Sequence, residues 1–87
     1  MYYIYVIQNL DNSEDFYLGF SRDLRRRVRS HNSGKNASTK GKKWRLVYYE
    51  AYSSESVARN RERKLKHDGR VKRFLMQRIK SQFDRAI

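Results

Sequence analysis

The stretch that decides the fold is Tyr2–Gln8, which reads YYIYVIQ. Its apolar and aromatic side chains alternate between two faces, with Ile4 and Val6 on one face and Tyr5 and Ile7 on the other. An extended segment that is apolar on both faces is typical of a strand with a layer packed on each side. We therefore predict a central strand over residues 2–9.

A second strand follows after a short polar connection. Residues 9–14 have the composition of a turn, and residues 16–20 resume the extended aromatic pattern, which predicts an antiparallel hairpin. Tyr17 and Gly19 share one face of this second strand. Because Gly19 has no side chain, it leaves room beside Tyr17 for a ligand or another backbone.

A first helix is predicted directly after the hairpin. Ser21 is a favourable N-cap, and Asp23 places a negative charge in the first turn of a helix that begins at Arg22. Asn32-Ser33-Gly34 ends the helix. The apolar ridge consists of Leu24, Val28 and His31.

The sequence pattern in the second half of the chain predicts a basic loop, a strand and two helices. Residues 32–45 lack periodicity and are expected to form a basic surface loop, followed by a third strand over 46–51. Ser53 or Ser54 caps a second helix that runs to about Lys66 and ends at Asp68-Gly69. The ridge of a third helix consists of Val71, Leu75, Ile79 and Phe83.

The order ββαβαα predicts an α+β fold, a small three-stranded antiparallel sheet flanked by three helices. We expect residues 1–87 to form one domain. Twelve aromatic residues argue against a disordered basic tail, which would lack the large apolar side chains needed to offset chain entropy.

Charge and residue usage narrow the function classes. The chain has 21 Lys+Arg against 9 Asp+Glu, a formal net charge of +12, which makes a polyanion such as nucleic acid the leading partner. The absence of cysteine excludes disulfides, thiolate metal sites and a cysteine nucleophile. The first residues lack the features of a signal peptide, and no apolar run could span a bilayer, so we expect a cytoplasmic protein without a membrane role.

Common catalytic motifs are missing. Gly34-Lys35 is followed by Asn36 and lacks the upstream glycine of a phosphate-binding loop, so nucleotide hydrolysis has no support. No Gly-x-Ser-x-Gly segment presents a serine nucleophile. His31 and His67 are too far apart in sequence to form a helical metal-binding pair.

Two charged residues fall on the inner edges of predicted helices. Arg27 lies close to the buried ridge of the first helix, and Glu62 lies on the inner edge of the second. A carboxylate there must be paired or bind a metal. One interpretation is purely structural: Glu62 pairs with Arg27, and the tyrosines of the first two strands are packing residues with satisfied hydroxyls.

Five elements in this order resemble the GIY-YIG nuclease family. They are Tyr3-Ile4-Tyr5, Tyr17-Leu18-Gly19, Arg27, His31 and Glu62. The resemblance covers nearly the whole chain and is closest to small stand-alone members related to the nuclease domain of the bacterial excision-repair incision subunit. Tyr3 replaces the family's first glycine and Leu18 its isoleucine, and an asparagine that some relatives place after the glutamate has no counterpart here.

The resemblance implies a role for each of these positions. Tyr5 and Tyr17 flank the attacking water, and either could be the general base, with Tyr5 favoured. Arg27 contacts the scissile phosphate, His31 orients a tyrosine hydroxyl or the water, and Glu62 holds one divalent cation, Mg²⁺ or Mn²⁺. Gly19 keeps the backbone close to the site. A phenol has a pKa near ~10, so we expect the arginine-rich helix to favour the phenolate of Tyr5.

Two functions are open at this point. One is a metal-dependent endonuclease that hydrolyses phosphodiester bonds in DNA; the other is a non-catalytic basic module that binds DNA or structured RNA. RNA stays open as a substrate, and the oligomeric state is not determined by the sequence. The candidates for phosphate contacts in both cases are Arg22, Arg25, Arg26, Arg29, Lys35, Lys40, Lys42 and Lys43.

Overall fold

A computed structural model describes residues 1–83 and contains one antiparallel sheet and three α-helices. The strands are β1 (Tyr2–Asn9), β2 (Asn12–Ser21) and β3 (Trp44–Tyr52). The helices are α1 (Leu24–Asn32), α2 (Glu55–His67) and α3 (Gly69–Ser81), and a 3-10 turn, Ala37–Thr39, lies between α1 and β3. This arrangement confirms the predicted α+β class and the order ββαβαα.

The strand order β2-β1-β3 makes β1 the central strand, as its pattern predicts. Ile4 and Val6 are buried in the core that α2 and α3 cover. Tyr5 and Ile7 are buried on the opposite face, beneath α1. The α2/α3 side also buries Ala58, Leu65, Leu75 and Ile79. Leu65, Leu75 and Ile79 each contribute about 2–5 kcal/mol relative to alanine.

The register of the sheet determines which side chains lie opposite one another on the face beneath α1. Both neighbours of β1 are antiparallel to it, with Tyr5 opposite Gly19 of β2 and Tyr49 of β3. Tyr17 lies opposite Ile7. Because these paired residues share one face of the sheet, they lie on the side that α1 covers.

The boundaries of the hairpin and of α1 differ from the prediction. The turn consists of Leu10 and Asp11, because β2 begins already at Asn12. Asp23, not Ser21, is the N-cap of α1, and its carboxylate accepts a hydrogen bond from the backbone N–H of Arg26 at 3.1 Å. Ser21 instead accepts one from the N–H of Asp23, which shifts the start of the helix to Leu24.

Two further predictions need correction. The segment over 32–45 is not simply a surface loop, because Thr39 and Trp44 are buried and β3 begins at Trp44. Phe83 lies beyond the end of α3 and is exposed, with the Arg45 guanidinium 4.6 Å from its ring centroid. Within residues 1–83, no helix is both long and apolar enough to cross a membrane.

Candidate active site

Tyr5 and Gly19 define the centre of the site. The ring of Tyr5 leans across its strand partner, so that a Cβ at position 19 would lie 2.6 Å from the tyrosine Cζ and closer still to the hydroxyl. Tyr5 is 0% exposed. Only glycine fits at this position without displacing the ring, so the space beside Gly19 is filled by the Tyr5 side chain rather than by a ligand or another backbone.

A chain of hydrogen bonds starts at the Tyr5 hydroxyl. Arg27 Nε donates to the hydroxyl oxygen at 3.3 Å, and the hydroxyl lies 2.7 Å from His31 Nε2. His31 Nδ1 lies 2.8 Å from Thr39 Oγ1, and the threonine hydroxyl is within 3.4 Å of the Asn36 carbonyl. Helix α1 supplies Arg27 and His31 four residues apart, so both side chains fall on the face that covers Tyr5.

The direction of the protons follows from the partners. Arg27 can only donate, so among residues 1–83 the proton of the buried Tyr5 hydroxyl has His31 Nε2 as its acceptor. His31 is therefore the Nδ1–H tautomer and donates to Thr39 Oγ1. The Thr39 hydroxyl in turn donates to the Asn36 carbonyl. This assignment satisfies every group in the chain.

The electrostatics of the site keep both ring groups neutral. Burial raises the pKa of Tyr5 above its usual value and outweighs the opposing effect of Arg27. The phenolate expected from the arginine-rich helix is therefore not the resting state. Burial and the nearby Arg27 charge lower the pKa of His31, so that its imidazole is neutral at physiological pH.

Tyr17 is the second tyrosine of the site and is less buried than Tyr5. Its ring centroid lies 4.9 Å from that of His31, on the same side of the sheet. The two tyrosines thus contact one imidazole from two adjacent strands. The structure brings Tyr5, Tyr17, Arg27 and His31 together.

Glu62 projects from α2, the helix that packs on the other face of the sheet from α1. Its charge is close enough to raise the pKa of Tyr5. The side chain is 16% exposed, and its carboxylate lies 3.2 Å from Lys66 Nζ and 3.7 Å from Arg59 Nη1. The structural interpretation in which Glu62 pairs with Arg27 is therefore wrong, because the partners of Glu62 are neighbours on its own helix.

A divalent cation at Glu62 would have a single carboxylate of the described residues as its protein ligand. No cluster of three or more His, Asp or Glu side chains suitable for a metal occurs within residues 1–83. Mg²⁺ typically takes one or two protein carboxylates and keeps several waters, so one half-buried glutamate in an open groove is sufficient. This groove, about 300 Å³, is lined by Glu62, Arg59, Arg63, Lys66 and His67. A cation there must displace Lys66 from the carboxylate.

The residues expected to contact phosphate are spread around α1. Arg22, Arg26 and Arg27 line a cavity of about 510 Å³ at the N-terminal end of the helix. Arg29 and Lys35 line a smaller cleft with Arg26. Exposed side chains further along the loop are Lys40, Lys42 and Lys43, and Arg25 is exposed on α1. Lys42 is paired with Asp15 at 2.9 Å, which competes with phosphate binding.

Trp44 and Asn32, which the sequence pattern did not indicate, hold in place the loop that presents Thr39 to His31. Trp44 is buried, and its Nε1 donates to the Thr39 carbonyl at 3.1 Å. Asn32 exchanges two hydrogen bonds with the backbone of Trp44, which fixes the loop against α1. The signal available was the lone tryptophan at the end of a polar loop, since such a residue is seldom left in solvent.

Comparison with known proteins identifies the family of the chain. The family model described as the GIY-YIG catalytic domain matches residues 1–74. A UPF0213 protein of Haloquadratum walsbyi is 36% identical over 74 residues, covering 83% of this chain and 81% of that protein. A UPF0213 protein of Staphylococcus haemolyticus is 36% identical over 77 residues, covering 86% and 92%.

A solved structure of a similar protein shares the fold of this chain. The solution NMR structure of a UPF0213 protein from Bacillus halodurans has a TM-score of 0.54 and 34% sequence identity. The match covers 92% of this chain and 86% of that one. The GIY-YIG match covers every residue of the cluster around Tyr5, together with Glu62. The chain belongs to the GIY-YIG family of nuclease catalytic domains.

Proposed function

We propose that this protein is an endonuclease that hydrolyses phosphodiester bonds in DNA with the help of one divalent cation. The observation that carries the proposal is the buried chain from Arg27 through Tyr5 and His31 to Thr39. A phenol that donates to a neutral imidazole, with an arginine donating to the same oxygen, has an arrangement that general acid–base chemistry can use.

Arg27 binds and neutralises the phosphate in this proposal. Its guanidinium is half-buried, and it lines the cavity at the N-terminal end of α1 beside Arg22 and Arg26. When Arg27 turns toward a phosphate, its contact with Tyr5 opens and the phenol becomes accessible from the cavity. The same guanidinium stabilises the negative charge that develops on the phosphoryl oxygens.

In this proposal, Tyr5 and His31 accept the proton that the attacking water loses. As the oxygen of the attacking water forms its bond to phosphorus, its proton passes to the Tyr5 oxygen, and the Tyr5 proton passes to His31 Nε2. The bond from phosphorus to the leaving oxygen breaks, and the leaving oxygen takes a proton from solvent water. The imidazolium that results keeps its Nδ1–H bond to Thr39 and later returns its proton to solvent. Because the imidazole takes up the proton, no free phenolate is needed. Tyr17 flanks the water from the adjacent strand and remains the alternative base.

Glu62 would hold the cation. When bound, a Mg²⁺ or Mn²⁺ ion supplies Lewis-acid stabilisation of the phosphate, which is worth several kcal/mol. Lys66 and Arg59 neutralise the carboxylate in the absence of the ion. Release of Lys66 is therefore part of cation binding.

The alternative is a non-catalytic basic module for DNA or structured RNA. The net charge of +12 supports binding without chemistry, and Lys66 and Arg59 can serve as structural partners of Glu62. Both proposals expect affinity to fall steeply with salt, with a log–log slope of about −0.9 per phosphate neutralised on duplex DNA. Binding alone does not separate them.

A cleavage assay distinguishes the endonuclease from the non-catalytic binding module. End-labelled duplex, single-stranded and branched DNA are incubated with wild-type protein and with Tyr5→Phe, each in Mg²⁺ and in EDTA. We expect wild-type cleavage of at least one substrate in Mg²⁺ only, and loss of cleavage in the variant. Tight binding without any metal-dependent cleavage would favour the binding module. The proposed location of this activity is the cytoplasm.

A further inference from the structure

A second groove lies on the side of α1 that faces β3. It has a volume of about 660 Å³, within the range of sites that take small organic ligands. Its floor contains Tyr3, Leu46 and Tyr49 of the sheet, and its helical wall contains Val28. No residue of this floor or wall belongs to the cluster around Tyr5 or to Glu62.

The floor offers an aromatic face to solvent. Tyr49 is 55% exposed although it lies on the covered side of the sheet, opposite Tyr5. Its ring meets that of Tyr3 edge-on, with centroids 6.1 Å apart. This contact supports the Tyr49 ring from beneath the groove. An exposed aromatic ring that is already held in place suits stacking, because little side-chain entropy remains to be lost.

The rim of the groove is cationic. Arg25 and Arg29 are four residues apart on α1, both exposed, and both line the groove. Within residues 1–83, neither forms an ion pair. Asp23 also lines the groove, but its carboxylate caps α1. The groove therefore combines a flat apolar floor with two available positive charges.

The groove is continuous with the cavity that contains Arg27. Arg22 and Asp23, at the N-terminal end of α1, line both. A chain of phosphates could pass around this end of the helix from Arg27 into the groove. The two sites thus meet at the N-terminal end of α1.

We propose that this groove binds an unpaired nucleobase of the substrate strand, stacked on Tyr49, with the flanking phosphates on Arg25 and Arg29. The inference rests on the proposed function only in taking nucleic acid as the substrate. A base inside a duplex has both faces covered by its neighbours, so its ring cannot stack on Tyr49. The groove therefore selects substrates that carry single-stranded nucleotides next to the phosphate held by Arg27.

The test measures binding in EDTA, where no metal-dependent cleavage interferes. Fluorescence anisotropy compares a labelled oligothymidylate, an abasic strand of the same length and a duplex of the same length. The variants are Tyr49→Thr, which keeps strand propensity but removes the ring, and Tyr49→Phe, which keeps the ring. We expect Tyr49→Thr to bind oligothymidylate about tenfold more weakly, with the abasic strand and the duplex unchanged, and Tyr49→Phe to bind as wild type does.

Two double variants, each of which removes two arginines, test whether the positive charges on the rim of the groove bind phosphate. We expect Arg25→Ala/Arg29→Ala to weaken oligothymidylate binding more than Arg70→Ala/Arg73→Ala, which removes two exposed arginines from α3. Repeating the series with oligouridylate shows whether the strand is DNA or RNA, and the loss in Tyr49→Thr is expected for whichever strand binds more tightly.

Two results would overturn the proposal. One is wild-type affinity of Tyr49→Thr for both oligonucleotides, and the other is an equal loss on abasic and base-containing strands. Neither depends on cleavage. A wild-type protein that cuts DNA but shows no base-dependent loss in Tyr49→Thr contradicts the groove alone, whereas base-dependent binding without any cleavage contradicts the nuclease proposal alone.

Discussion

Tyr5 and Gly19 are cross-strand partners, and the aromatic ring of one occupies the space where a side chain of the other would begin. This relationship aims the Tyr5 hydroxyl at His31 and Arg27. The glycine thus contributes to the site through the volume that it leaves empty. Tyr5 and Gly19 therefore form one structural unit.

Gly19→Ala should disrupt this unit. The new Cβ would lie 2.6 Å from Tyr5 Cζ, so the ring must move away from His31. We expect a loss of about 1–3 kcal/mol in the free energy of unfolding, the usual cost of overpacking, and a larger relative loss of cleavage. Urea denaturation and a cleavage assay measure the two effects. Gly69→Ala, which meets no atom within 4 Å, is the matched control, and equal activity of both variants would contradict the prediction.

Thr39→Val should change the protonation of His31. The substitution removes the acceptor of Nδ1–H, which leaves a buried donor unsatisfied at a cost of about 1–3 kcal/mol. The proton is then expected to move to Nε2, where it blocks proton transfer from Tyr5, and cleavage should fall by about 10²-fold. The ¹⁵N shifts of the His31 ring report the tautomer directly. Thr39→Ser keeps the hydroxyl and should retain the wild-type tautomer; an unchanged tautomer in Thr39→Val would refute the assignment.

The pH profile of cleavage should report His31. The proton relay needs a neutral imidazole, and burial together with Arg27 lowers the pKa of His31 below its usual ~6.5. We therefore expect kcat to be constant near neutral pH and to fall only as pH drops through this lowered pKa. His31→Gln should lose both most of its activity and this acid limb. An acid limb above pH ~6.5 in the wild type would argue against His31 as the acceptor.

Acid stability should depend on Glu50. Burial alone would raise the pKa of Glu50, but hydrogen bonds from Arg61, Tyr48 and Tyr52 outweigh it and lower the pKa to about 2. The unfolded chain, with a glutamate pKa near ~4.3, therefore binds more protons in this interval, and the free energy of unfolding should fall as pH decreases from about 4.3 toward 2.

Glu50→Gln tests this assignment. Urea denaturation across the acid range should show a weaker pH dependence in the variant, with a loss of about 2 kcal/mol near neutral pH from the broken ion pair with Arg61. Glu14→Gln removes an exposed carboxylate paired with Lys80 and serves as the control. Equal pH slopes for Glu50→Gln and wild type would rule out Glu50 as the source.

Much of this architecture could be predicted from local sequence signals. The two-sided apolar pattern of Tyr2–Gln8 determines the central strand because burial on both faces leaves no other option. The break between the last two helices could also be predicted. Asp68 is both the C-cap of α2 and the N-cap of α3, so the two helices meet at the predicted position. Helix and strand ends were less predictable, because neighbouring caps such as Ser21 and Asp23 compete.

The rest of the site depends on long-range contacts that no local pattern encodes. Thr39 is buried because Trp44 and Asn32 fold the loop back onto α1, and the loop's lysines obscure this signal. The pKa of Tyr5 follows from burial, which a count of nearby arginines does not measure. The partners of Glu62 are an exception, because Arg59 and Lys66 stand three residues before and four after it on the same helix, a spacing that the sequence shows.

The measurement that tests the central claim most directly compares wild type and Glu62→Gln for cleavage and for binding of the same labelled DNA, in Mg²⁺ and in EDTA. The variant keeps the shape of the side chain but loses the charge that would hold the cation. We predict that wild-type protein cuts only in Mg²⁺, and that Glu62→Gln binds DNA with at least wild-type affinity but does not cut it. Cleavage by Glu62→Gln at the wild-type rate, or wild-type cleavage that persists in EDTA, would contradict the account.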